Sequence, residues 1–150
     1  MFENKYDTSA KLHTTLISNK EINETHLAKI KNRVIYVNTL MKQLPLPSEN
    51  GAYILLVKEG NPLSYFSLVK DSISIGRSQD SYIPVDDGNV SRLHCVIERN
   101  NSIFTISDNE SKNGMTVNGE KMQSRILCDG DIMRIGSYEL IFVLNKNLTM

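Results

Sequence analysis

His94-Cys95-Val96-Ile97-Glu98-Arg99, then Asn100-Asn101, then Ile103-Phe104-Thr105-Ile106-Ser107, is the stretch whose reading decides the architecture. Each run is apolar or alternating over the length of one strand, and the asparagine pair between them accepts the positive φ that a tight corner needs. The stretch reads as a β-hairpin. The same texture extends outward from it. Residues 53–58, 64–69 and 72–75 read as strands on the upstream side, and 115–117, 125–127, 131–135 and 138–144 on the downstream side. Gly60-Asn61-Pro62, Asn118-Gly119 and Gly136-Ser137 supply the corners. Turn signals recurring every eight to twelve positions or so, with no helical period, predict an all-β, two-sheet sandwich over residues 51–146.

Upstream of residue 51 the period changes. Residues 1–17 carry no sustained pattern and read as an arm. Ser18-Asn19-Lys20-Glu21 has the form of a capping box, in which serine and glutamate side chains satisfy the free N–H groups of a helix start; Asn23 or Thr25 are alternative caps. Leu27, Ile30, Val34, Val37, Met41 and Leu44 then recur at intervals of three and four, the spacing of one buried helical stripe. Val34-Ile35-Tyr36-Val37 is rich in β-formers, so a strand competes there. Pro45 and Pro47 end the helix, and Ser48-Glu49-Asn50-Gly51 reads as a linker. The expected organisation is an N-terminal arm, amphipathic helix and linker over 1–50, followed by a sandwich over 51–146. Lys29, Lys31, Arg33 and Lys42 make the helix basic, with no acidic residue between Glu24 and Glu49. Such a helix can lie on an anionic membrane or grip an acidic partner. The plainer reading packs its stripe on the sandwich or on a second copy of the chain, giving self-association.

Composition excludes several function classes. In 150 residues, 17 Lys and Arg balance 17 Asp and Glu, so no global field steers the protein to nucleic acid, and any anion site must be local. With 40% hydrophobic and 23% charged residues, the chain can bury one core. Cys95 and Cys128 lie beside apolar residues without CxxC spacing, so both are expected as buried thiols rather than metal ligands or a disulfide. No apolar run approaches the ~20 residues of a membrane span, and residues 1–10 are polar. A soluble, cytoplasmic protein without metal or cofactor is expected.

Three segments place anion-seeking side chains between strands that need none: Gly76-Arg77-Ser78, Ser91-Arg92-Leu93-His94 and Ser111-Lys112-Asn113-Gly114. Loops from different strand pairs gather at one end of a sandwich, so these segments can converge. Arg77 offers a planar fork for phosphate, Ser91 a hydroxyl donor and Lys112 a point charge, while the Asn113 amide suits an extended peptide backbone. Each has a plainer reading too. An isolated Arg or Lys is usually a solvated charge, Ser91 can cap a turn, and His94 reads best as a satisfied buried histidine. Asn113-Gly114 is turn chemistry in any β protein, and Asp129 and Asp131 around Gly130 read as a hairpin corner, not a metal pair.

Taken in order, Ser74-Ile75-Gly76-Arg77-Ser78, Val90-Ser91-Arg92-Leu93-His94-Cys95, the run from Asp108 to Gly119, and the run from Leu127 to Gly136 resemble the motif series of the forkhead-associated (FHA) family. The resemblance covers about residues 52 to 144 and leaves the first fifty outside it. It implies an eleven-stranded two-sheet sandwich that recognises phosphothreonine in extended peptides. By position, Arg77 and Ser91 would hold the phosphate, with Lys112 adding contact through its ammonium or its backbone N–H. Arg92 and Asn113 would contact the peptide main chain. Gly76, His94 and Gly114 match structural positions, His94 bracing the loop that presents Ser91.

No serine, cysteine or carboxylate has a base and an orienting partner placed by a motif, so the chain reads as a non-enzyme. The expected function is a phosphothreonine-peptide adaptor in Ser/Thr kinase signalling, its partner a phosphorylated kinase or kinase substrate. The alternative is a scaffold sandwich in a larger assembly, such as a bacterial secretion apparatus, that works without phosphate. Some small bacterial FHA proteins resemble this layout with an N-terminal arm whose phosphothreonine folds back into the pocket, a role open to Thr14 or Thr15 here.

Overall fold

The computed structural model describes residues 20–146. Contacts divide the chain between Tyr36 and Val37 into two compact units. Helix α1 (Lys20–Gln43) crosses that division, so the β-forming run 34–37 is helical. Ser18 and Asn19 of the expected capping box, together with Thr14 and Thr15, lie outside the described residues.

The expected stripe on α1 needs correction. Leu27 and Val34 are 63% and 52% exposed, whereas Leu40, which the stripe omitted, is 1% exposed. Ile30, Val37, Met41 and Leu44 of the expected stripe are buried or half-buried, and the less exposed band adds Arg33, Tyr36 and Leu40. Its spacing is still three and four, but one member is an arginine, and a reading that followed apolar residues alone drifted around the helix. Arg33 can lie there because its stem is apolar.

The second unit is built of strands β1 (Gly51–Lys58), β2 (Asn61–Ser67), β3 (Ser72–Gly76), β4 (Ile83–Pro84), β5 (Cys95–Asn100) and β6 (Ile103–Asp108). They are followed by β7 (Thr116–Val117), β8 (Glu120–Lys121), β9 (Ser124–Ile126), β10 (Ile132–Ile135) and β11 (Tyr138–Asn145). One sheet has the order β2-β1-β11-β10-β7-β8 and the other β4-β3-β5-β6-β9. The opening hairpin pairs Cys95 with Asp108 through Asn100 with Ile103, and Asn101 turns the corner at φ 60°. Ile73, Ile75, Ile97 and Ile106 from one sheet and Ile54, Leu56, Leu140 and Phe142 from the other meet in the core.

Strand β1 explains why residues 52–57 are an unbroken apolar run. Ile54 and Leu56 join the core between the sheets, and the alternating Tyr53, Leu55 and Val57 are also buried, so no position on this stretch favours a polar side chain. The segment before β1 is tied down rather than loose. The Tyr65 hydroxyl donates to the Leu44 carbonyl at 2.6 Å, and the Asn145 amide donates to the carbonyls of Pro47 and Glu49 at 2.6 and 2.9 Å.

Cys95 is fully buried, and burial raises its pKa, which suits an inert core thiol. Cys128 departs from expectation and is exposed. Its backbone explains why: the Cys128 N–H donates to Asp131 Oδ2 at 2.8 Å and its carbonyl accepts from the Asp131 N–H at 2.9 Å, closing a surface corner. Asp131 is 3% exposed and also accepts from Arg125 Nε and Asn118 Nδ2, each at 3.0 Å. The hairpin corner is therefore built around a buried carboxylate whose oxygens accept from protein donors. Among the described residues no cluster of His, Cys, Asp and Glu has metal-binding geometry, and no helix is long and apolar enough to cross a membrane.

Candidate functional site

Three turns meet at one end of the second unit: β3 to β4, β4 to β5, and β6 to β7. The first two are laced by backbone bonds, with the Arg77 N–H donating to the Ser91 carbonyl at 2.9 Å and the Ser78 N–H to the Arg92 carbonyl at 3.2 Å. Gly76 permits that approach. A Cβ on it would stand 2.1 Å from the Arg92 carbonyl oxygen, although its φ is not positive. Arg77 is exposed and takes part in no ion pair among the described residues; its Nε donates to the Val90 carbonyl at 3.0 Å. That bond orients the guanidinium and leaves both terminal nitrogens available to an anion.

The third turn is joined through Ser91. Its Oγ accepts the Lys112 N–H at 3.0 Å, which leaves the hydroxyl proton free to be donated outward. The bond also uses the Lys112 N–H, so of the two contacts expected from Lys112 only the ammonium stays open. Asn113 Nδ2 donates to the Asn89 carbonyl at 2.8 Å, and its side-chain oxygen accepts no hydrogen bond among the described residues. Arg92, Lys112 and Asn113 are all exposed. The structure thus brings Arg77, Ser91, Lys112 and Asn113 together on one rim, with Arg92 in the middle turn.

His94 holds this rim from beneath. It is fully buried, its Nδ1 accepts the Ser91 N–H at 3.0 Å, and its Nε2 lies 2.8 Å from the Gly114 carbonyl. Since Nδ1 accepts, the ring proton sits on Nε2 and is donated to Gly114. One side chain therefore couples the turn carrying Ser91 to the turn carrying Lys112. Gly114 itself has φ +77°, a left-handed conformation that a side chain resists.

Two tethers escaped sequence reasoning. Ser111 Oγ donates to Asp108 Oδ1 at 2.5 Å while accepting the Gly114 N–H at 2.8 Å, and the Ser111 N–H donates to Asp108 Oδ2 at 3.0 Å. The D-x-x-S spacing, which resembles a helix cap, was the available signal. Asp87 accepts the Asn89 N–H and the Ser137 N–H, each at 2.8 Å, and the Ser137 hydroxyl at 2.6 Å. The Asn89 contact is a local turn, whereas Ser137 lies fifty positions away, where no local signal reports it.

The Ser137 hydroxyl, then the Asn89 and Ser137 N–H groups, lower the Asp87 pKa to about 2 from its ordinary 3.8. A depressed folded-state pKa means that this stabilisation is complete above about pH 4 and is lost as pH falls toward 2. Asp87 is partly exposed, so about 1 kcal/mol is expected after solvent screening. Thermal unfolding followed from pH 5 to pH 2 should show an acid loss that Asp87→Asn reduces by that amount. An identical acid profile in the variant would assign the loss to other carboxylates.

The second unit is thus an all-β sandwich whose end turns are cross-braced and carry exposed Arg77 and Lys112 side chains beside the Ser91 hydroxyl, a class of loop-rimmed sandwich. The FHA domain model matches residues 73–136. A solved FHA domain from a structural and functional study of phosphothreonine-dependent FHA domain interactions superimposes with TM-score 0.57 at 32% identity, over 63% of this chain and 98% of that one. The chain belongs to the FHA family. Two curated relatives are an oxoglutarate dehydrogenase inhibitor of Corynebacterium jeikeium, 39% identical over 94 residues, and the glycogen accumulation regulator GarA of Mycobacterium tuberculosis, 40% identical over 94 residues. Each alignment covers 62% of this chain, and the chain spans 65% and 58% of those relatives' lengths.

Proposed function

We propose that this chain is a phosphothreonine-dependent adaptor. Arg77 and Ser91 take the phosphate, the Lys112 ammonium adds a third cationic or donor contact, and Arg92 and Asn113 hold the peptide main chain. The observation that carries the reading is the joining of three separate turns at Ser91. Its hydroxyl accepts the Lys112 N–H, its carbonyl accepts the Arg77 N–H, and its own N–H is held by His94. A doubly charged phosphate is favoured by donors fixed in advance, because little ordering remains to be done on binding.

The family's other members support the reading. One relative is an enzyme inhibitor and another a metabolic regulator, so this chain's partner is proposed to be a phosphorylated enzyme or a kinase substrate in a Ser/Thr kinase pathway. Titration with an oriented phosphothreonine peptide library tests it. Saturable binding to phosphorylated peptides, absent for the same peptides without phosphate, is expected. Equal capture of both forms would favour a scaffold role.

A further inference from the structure

We infer that Lys121 gives the cleft beside the loop rim a preference for an acidic side chain in the bound peptide. The inference rests on the phosphothreonine reading and specifies what the peptide carries next to its phosphate. The cleft, about 490 Å³, begins where the rim ends: Asn89 and Asn113 line it, and its other walls include Lys121, Arg134 and Ser137. A peptide whose main chain is held at Asn113 therefore has a neighbouring side chain at the mouth of this cleft.

The charges around it decide what fits. Arg134 is already matched, its Nη2 lying 2.6 Å from Glu139 Oε2. Asp87, reached through Ser137, has its carboxylate occupied by three donors. Glu120 adjoins Lys121 on β8, and alternation along a strand sends its side chain to the opposite face, where it acts on Arg125. Lys121 thus lines the cleft without a carboxylate in ion-pair range among the described residues.

Its position is fixed by the fold. Strand pairing sets Lys121 opposite Thr116, and its stem crosses Gly114 so closely that a Cβ there would lie 2.8 Å from Lys121 Cε. The glycine that frees the turn also makes room for the lysine. A stem laid along backbone, with an unmatched ammonium at its end, is a ready partner for a carboxylate.

Fluorescence anisotropy on the full chain tests this with phosphothreonine peptides that carry Asp, Ala or Lys at each flanking position in turn. At one position Asp should bind about fivefold tighter than Ala, and Lys weaker than Ala. Lys121→Met keeps the stem and should flatten the preference, and Lys121→Glu should reverse it. Phosphate-dependent binding with a flat profile, or a preference that survives in Lys121→Met, overturns the inference and leaves the adaptor reading standing. Failure of every phosphopeptide to bind overturns both.

Discussion

Replacing Arg77 by Ala is expected to weaken a phosphothreonine peptide about 100-fold or more while leaving the protein folded. Two features set that size. Hydrogen bonds to a charged group each contribute about 1.5–3 kcal/mol, and the open terminal nitrogens of Arg77 can make two such bonds to one phosphate. Arg77 is exposed, and its internal side-chain bond is the one from Nε to the Val90 carbonyl, so unfolding should shift by about 1 kcal/mol or less. Isothermal titration beside chemical denaturation separates the two effects. Arg77→Lys should recover only part of the loss, since an ammonium lacks the planar fork. Unchanged affinity in Arg77→Ala would remove the guanidinium from the site.

The second large effect is expected at a residue that touches no ligand. Gly76→Ala places a methyl group 2.1 Å from the Arg92 carbonyl oxygen, a backbone atom with no rotamer to escape into. Either the end of β3 or the turn 91–93 must move. The bonds at risk are Ser78 to Arg92, Arg77 to Ser91 and Val85 to Gly76, the last of which holds β4 beside β3. A loss of about 3 kcal/mol is expected in denaturant unfolding, at the upper end of overpacking costs. Peptide affinity should fall as well, because the displaced turn carries Ser91. Wild-type stability in this variant would contradict the close approach.

The strands long enough to show a period were legible in the sequence, as were the turns at Asn101 and Asn118-Gly119, which adopt positive φ. Strands β4 and β8 were not. Each has two residues, too few for alternation to register, and Pro84 argues against a strand except at an edge, where β4 lies. On α1 the apolar pattern pointed to Leu27 and Val34 and passed over Leu40, because helical spacing alone does not settle which flank of a broad stripe is covered. Cys128 looked buried because Leu127 is, yet neighbours at a corner face different ways.

The rim residues could be named from ordered motifs, while the way they are held could not. Ser91 was a candidate hydroxyl donor, but its acceptance of the Lys112 N–H depends on two turns 21 positions apart meeting in space. Asp87 and Ser137 make the same point over fifty positions. Lys121 lay on a strand too short to read, so its place in the cleft emerged only from the pairing with Thr116.

Backbone amide shift mapping during titration with a phosphothreonine peptide asks most directly whether this rim is where the peptide sits. The largest changes should fall on residues 76–78, 91–94 and 111–114, with the Lys112 amide responding as its bond to Ser91 readjusts. Changes concentrated instead around Leu68, Arg99 and Phe104, which line a separate cleft, would place binding elsewhere and contradict the assignment.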